Sequence, residues 1–375
     1  MKNYKINTFL LLFLFFTACE NDKKSILKES NKINSFFETY FNDKVNRSPM
    51  YQARLGIKKD YDKWDDISPK SDTLELTIAK NALKWIKDSI NINLLNDQTE
   101  LSYRLFKQSL ENQIKDFKYR LHNYPVNQMY GYHSRVPAFL INIHKVDSKK
   151  DAEDYIVRLN GIKDLFNQLE KNLIERELVG IMPPQFVYHH VIDDSKNIIS
   201  GLPFNGTDSS ALFKDVVEKI ETLNIEKNEQ KKLIKQAKSA LISSVLPAYQ
   251  SLIKFLEKQM VKSTKDDGVW KWPNGKEYYS NALKRTTTTD MTIEEIHQLG
   301  LTEVERIHKE MVKIKDEVGF RGNLKSFFNE LKHNEKYYYP QSESGKKDYM
   351  IKASQIIEEM KLRLDELFLR KPKAD

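Results

Sequence analysis

Apolar residues recur at the spacing of an α-helix along nearly the whole body of the chain, and this leaves few folds open to it. Ile33, Phe36, Phe37, Tyr40 and Phe41 fall at i, i+3, i+4, i+7 and i+8, one face of a helix over 31–43. The same period predicts helices over 73–92, opened by Ser71 or Asp72, and over 97–121. A long helix over 149–177 carries Asp151 and Glu153 in its first turn and closes at Gly180. Pro183-Pro184 then opens the next helix, where a missing N–H costs little. The segment 226–262 should be kinked or interrupted at Pro247. Further helices are expected over 276–286, 291–317, 323–332 and 347–368. The segment 122–146 breaks the pattern and reads as an irregular connector with a short helix, and 263–275 reads as a turn-rich loop or hairpin. With only 12 Gly and 11 Pro in 375 residues, an all-β sandwich full of tight turns is disfavoured. The expected fold is mainly α, an irregular multi-helix array of long amphipathic helices. A subdomain boundary is placed near 263–275.

The start of the chain has a different character. Lys2 and Lys5 precede the apolar run from Phe9 to Phe16. Eight helical residues rise about 12 Å against a hydrocarbon core of about 30 Å, so the run suits an export signal and not a membrane span. It ends in Phe16-Thr17-Ala18-Cys19, similar to a bacterial lipobox, although a lipobox prefers Leu where Phe16 stands. The expectation is a signal peptide over 1–18, lipidation at Cys19, a polar tether over 19–32 and the folded domain over 33–375. Cys19 is the only cysteine, so a disulfide framework and an iron–sulfur cluster are excluded. A diacylglyceryl plus N-acyl anchor would hold the protein to membrane lipid in the cell envelope, since each buried CH₂ contributes about 0.8 kcal/mol.

Net charge is +8, but both signs are interspersed, as in the Glu226–Lys232 stretch, so no nucleic-acid-binding stripe is expected. There is no Walker loop, no Gly-rich dinucleotide fingerprint, no nucleophile elbow and no H-E-x-x-H. His297 and His308 share a helix face yet lie about 16 Å apart along it, too far to ligate one metal. His189 and His190, with Asp193 and Asp194 at i+4, read better as a solvated helix face than as ligands. Glu294, Glu295, Glu303 and Glu310 read as capping and ion-pair residues with Arg306 and Lys309, and 290–295 as a capping segment. The residues alone give no catalytic group and no metal site.

Several short segments nevertheless carry a family resemblance. Gly275, Tyr278-Tyr279, the run Thr287-Thr288-Thr289 and Glu294-Glu295-Ile296-His297-x-Leu299-Gly300 follow one another in the pattern of the domain-of-unknown-function 885 family. Tyr124 to Met129, Asp151-Ala152-x-x-Tyr155-Ile-x-Arg158-Leu159 and Gly180-Ile-Met-Pro183-Pro184-x-Phe186-Val187 resemble its earlier segments, so the likeness covers essentially all of 30–375. Family members often carry His or an aromatic where this chain has Thr286. They are exported bacterial proteins, often lipoproteins, and resemble helical gluzincin metallopeptidases with an H-E-x-x-H helix and a further Glu as zinc ligands. A segment like 364–373 lies well before that helix, so the resemblance implies that this chain is the N-terminal portion of such a protein. It further implies that zinc belongs only to full-length members, that no cofactor is held here, and that the chain is inactive alone.

Two roles remain open for the matched strip. Tyr278, Tyr279, Thr287, Thr288, Thr289 and His297 either line a substrate groove for peptide, or the Tyr rings pack in the core, the threonines cap the helix that starts near 291 and His297 is a satisfied interior histidine. The functional expectation is the scaffold and substrate-groove portion of a membrane-anchored metallopeptidase-like lipoprotein, completed by a separately encoded C-terminal half. The alternative is a helical lipoprotein that binds peptide or a partner without chemistry.

Overall fold

Helix starts in this protein follow the side-chain oxygen that precedes them. In the computed structural model, residues 4–371 are described, with side chains described from residue 23 onward. Ser48, Asn96, Ser148 and Ser210 each accept a hydrogen bond from a first-turn N–H, opening α2 (Pro49–Arg54), α4 (Asp97–Asp116), α6 (Lys149–Leu178) and α8 (Ala211–Glu221). Each cap satisfies an otherwise orphaned donor and is worth about 1 kcal/mol. Before α12 (Ile293–Glu317), Thr292 and Glu295 form a reciprocal capping box, which realises the capping segment read from 290–295. The signal segment and the lipidation call at Cys19 fall on residues whose side chains lie outside the described ones. From Tyr4 onward the backbone of this stretch belongs to α1 (Tyr4–Asn46). Among the described residues no helix is long and apolar enough to cross a membrane.

The chain forms two compact units, the first ending at Tyr279 and the second starting at Ser280. In the first, α1 lays Ile33 against Ala79, Ala82 and Ile86 of α3 (Pro69–Ser89) and against Tyr103 and Leu110 of α4. Phe36 stacks on Trp85 with centroids 4.1 Å apart. The larger core is built around α6, whose Tyr155, Leu159, Ile162, Phe166 and Leu169 are all essentially buried. Around it pack α5 (Tyr132–Asn142), α7 (Gln185–Ile198), α8, α9 (Lys227–Ala240) and α10 (Leu246–Lys262). Truncating one of these buried leucines to alanine should cost about 2–5 kcal/mol.

Some boundaries differ from the sequence reading, each for a local reason. The helix expected from 73 starts at Pro69, because proline suits the first turn and Ser68 supplies the extended residue before it. Pro184 is the N-cap of α7 and not its first helical residue, its φ of −64° and ψ of 154° being extended. The interruption expected at Pro247 takes the form of a π-helical turn, Leu241–Val245, just before α10. The wider turn accommodates a ring that would clash with the carbonyl four residues back. The loop 263–275 contains a 3₁₀ turn at Val269–Lys271 and no hairpin.

The second unit follows α11 (Gly275–Thr287) with α12, α13 (Leu324–His333) and α14 (Glu343–Arg363). Its packing is thin. Of its described residues only Lys315, Phe327 and Gly345 are buried. On α12, Val304, Ile307, Met311, Ile314 and Val318 make one stripe at helical spacing, and none of the five is buried.

Candidate functional site

Polar and aromatic side chains of the first unit converge on a recess of about 680 Å³. Its walls come from four stretches distant in sequence: Asp65 to Asp72, Arg120 to Arg135, Asn172 with Arg176, and Trp272 with Tyr278. That volume lies within the ~300–1,000 Å³ usual for small-molecule sites.

The aromatic wall is made where two remote segments meet. Trp272 donates its indole N–H to the Tyr124 hydroxyl at 3.1 Å, with the rings edge to face at 5.2 Å. His122 stacks on Tyr278 at 5.1 Å and meets Trp272 edge-on at 5.7 Å. Its Nε2–H donates to the Pro273 carbonyl at 2.9 Å, which leaves Nδ1 as a buried acceptor with no partner. Burial pushes the Tyr124 phenol up to about 12 and raises that of Tyr278, so both remain neutral donors. Gly131 turns the chain into α5 at a φ of 151°, and a Cβ there would stand 2.6 Å from the Cα of Val126 and 2.8 Å from the carbonyl of Pro125. Only glycine closes this corner.

The polar wall is held by Arg176, which is 8% exposed. Its guanidinium bonds to no carboxylate. It donates to the carbonyls of Asn123, Asn172 and Arg120 and to the Asn123 side chain, at 2.8–3.4 Å. Those bonds spend its donors on the backbone of residues 120–123, fixing the wall. Asp65 is likewise occupied, accepting from Ser48 Oγ and the Met50 N–H at 2.8 Å each, and Asp66 accepts from the Ser68 N–H at 2.9 Å. Asp72, Arg120 and Arg135 are different, because their side-chain ends have no hydrogen bond or ion pair within the described residues. Arg120 rests over the Phe117 ring at 4.7 Å and Arg135 over Tyr132 at 5.7 Å. Burial raises the Asp72 carboxyl above its usual range, against the pull of Arg176 and Arg120.

Of the residues singled out from sequence, the structure places Tyr278 in this recess, whereas Tyr279 is 41% exposed and does not line it. The threonines lie at the end of α11 and bond locally. Thr287 Oγ1 donates to the Leu283 carbonyl at 2.9 Å and pairs with Thr289 Oγ1 at 3.0 Å, while Thr288 sits at a φ of 56°. His297 is exposed on the first turns of α12, and His189 and His190 are exposed on α7. Among the described residues no group of three or more His, Cys, Asp or Glu could hold a metal ion.

Arg158, from another matched segment, is fully buried behind this site. It donates to His144 Nδ1 at 2.9 Å and to the Lys63 carbonyl at 3.0 Å, inside a cage of Tyr61, Trp64 and Phe139. Trp64 closes the cage by donating to the Arg158 carbonyl at 2.8 Å. This cluster joins the loop bearing Asp65 and Asp66 to α6, so it sets the position of one recess wall. Sequence reading took Asp72 only as a candidate helix cap and missed Arg120, Arg135 and Arg176, none of which sits in a local pattern. The only available signal was the pairing of Tyr124-Pro125 with Trp272-Pro273 as aromatic–proline steps in two loops.

The comparisons with known proteins agree with this architecture. The family described as bacterial protein of unknown function (DUF885) matches residues 49–375. A candidate lipoprotein of Colwellia psychrerythraea superposes with a TM-score of 0.78 at 20% identity, over 92% of this chain and 61% of its own. A second, from Shewanella oneidensis and of unknown function, does so at 0.54 and 15% identity, over 78% and 48%. The chain thus spans less than two thirds of either solved protein, and at these identities the likeness is one of fold. No curated protein matches the sequence.

Proposed function

The chain belongs to the DUF885 family of bacterial proteins, and from that premise we propose that it forms the scaffold and substrate groove of a peptidase-like lipoprotein of the cell envelope. The observation that carries the proposal is the recess, where Tyr124 to Asn127 of one matched segment and Tyr278 of another converge with Trp272 and with charges of both signs that have no hydrogen bond or ion pair within the described residues. A peptide offers what such a lining lacks partners for: charged ends, backbone donors and acceptors, and side chains that stack on rings. Anchorage through Cys19 fits the tether that follows it and the description of the Colwellia relative as a candidate lipoprotein.

In this reading the chain is the N-terminal portion of the larger fold and does not cleave peptide alone. The described residues fit no zinc site, so no step is routed through a metal. Two facts support the partial-fold reading. This chain covers 61% of the Colwellia protein's length, and the apolar stripe on α12 lacks anything to bury it among the described residues. A separately encoded second half would supply that cover. The other reading, a binding lipoprotein without chemistry, shares the recess, and an added hydrolytic half would distinguish the two.

The test is a titration of the purified chain with tri-alanine, followed by tryptophan fluorescence, since Trp272 lines the recess. The expected result is a saturable change with no hydrolysis. Absence of any saturable change, or chelator-sensitive cleavage by this chain alone, would overturn the proposal.

A further inference from the structure

We infer that the recess is built for a short zwitterion, with Arg120 taking its carboxylate and Asp72 its ammonium. The inference rests on the reading of the recess as a peptide groove and adds which ends of the peptide it recognises.

The recess is lined by three carboxylates, at Asp65, Asp66 and Asp72, and three guanidiniums, at Arg120, Arg135 and Arg176. In a wall of balanced charge the ordinary outcome is mutual pairing, because a guanidinium fork and a carboxylate match in geometry and gain a charge-assisted bidentate bond. Here no pair forms. Asp65 and Asp66 are spent on Ser48, Met50 and Ser68, and Arg176 on backbone carbonyls and the Asn123 side chain. Asp72 feels the fields of Arg176 and Arg120 yet bonds to neither. A carboxylate and a guanidinium that line one recess without bonding leave room for a ligand that satisfies both.

The walls keep them from collapsing together. Arg120 lies on the Phe117 ring, and its carbonyl is fixed by Arg176 Nη2 at 3.4 Å. Asp72 is in the first turn of α3, where the helix N-terminus favours its charged form. Tyr132 lies within the electrostatic reach of Asp72, Asp65, Arg135 and Arg176, and its phenol is raised by burial, so it remains a neutral hydroxyl in the same space. Arg135 leans over the Tyr132 ring, whereas Arg120 is tied through its carbonyl to Arg176 on the polar wall, and the carboxylate is assigned to Arg120 on that tie. Both proposed anchors are exposed and make no hydrogen bond or ion pair within the described residues, so replacing either should leave the fold intact.

The experiment compares tri-alanine, N-acetyl-tri-alanine and tri-alanine amide on the full chain by calorimetry, with the Arg120→Gln, Asp72→Asn and Arg135→Gln variants alongside. Expected is a loss of tenfold or more in affinity on amidation and a similar loss on acetylation. Arg120→Gln should abolish the amidation penalty and keep the acetylation penalty, Asp72→Asn should do the converse, and Arg135→Gln should keep both. Equal binding of all three peptides would overturn the zwitterion and leave the peptide groove standing. An amidation penalty that survives Arg120→Gln would overturn the assignment. If none of the three peptides binds, the groove reading falls as well. Unchanged thermal melts of the variants separate lost recognition from lost folding.

Discussion

Replacing His144 with glutamine should flatten the acid limb of the stability curve of the first unit. His144 is fully buried, accepts from Arg158 at Nδ1 and donates from Nε2 to the Asp151 carbonyl at 3.0 Å. Burial lowers its pKa to about 3, with Arg158 and Lys219 adding repulsion and the bond to Asp151 opposing. A histidine whose folded pKa is depressed stays neutral in the native state while the unfolded chain takes up a proton below about 6.5. Its contribution is therefore complete above about pH 6.5 and is lost, at about 1.4 kcal/mol per unit, as pH falls toward about 3. Between pH 6.5 and 4.5 the loss from this one side chain is about 2–3 kcal/mol. Glutamine can offer an acceptor to Arg158 and a donor to Asp151 without titrating. The assay is urea unfolding at several pH values followed by tryptophan fluorescence, which reports the first unit because Trp64, Trp85, Trp270 and Trp272 all lie there. The variant should start somewhat less stable at pH 7 and lose about 2–3 kcal/mol less than the parent on reaching pH 4.5. His133 and the carboxylates titrate in both proteins and cancel. Parallel curves for parent and variant would refute the reasoning, because the buried neutral imidazole would then contribute no pH dependence.

Other outcomes follow from the same geometry. Gly131→Ala should destabilise the first unit by more than about 1 kcal/mol and abolish tri-alanine binding, since the new methyl strikes Val126 and Pro125; paired melts and titrations check both effects. Thr288 is β-branched at a φ of 56°, so Thr288→Gly should slow amide exchange at the end of α11 and stabilise it by about 1 kcal/mol. The purified chain should bind the apolar dye ANS, and a Val304→Lys/Ile314→Lys double variant should lose much of that signal. A parent chain that binds no dye would mean that the second unit has found cover.

The helices were legible because their signals are local. Asn96, Ser148 and Thr292 each stand one residue before a helix, and the core face of α6 is written in its own periodicity. The start at Pro69 was not, because Ser68, Ser71 and Asp72 compete as caps within four residues. The π turn was not either, since the sequence shows that Pro247 must disturb the helix but not how the chain absorbs it. The recess was mostly invisible for a different reason. Asp72, Arg120 and Arg176 look like ordinary charges on helix faces, and only the path of the chain brings them beside Trp272 and Tyr278. Arg158 sat in a matched segment, yet its partners are carbonyls and rings up to about a hundred residues away, which no local pattern records.

Peptide sits in the recess if the proposed function holds. Hydrogen–deuterium exchange of the full chain with and without saturating tri-alanine measures this directly. Slower exchange should appear in the peptides spanning 119–132 and 269–279 and be absent from 189–200 on α7. Unchanged exchange in both stretches, or protection confined to the second unit, would contradict it.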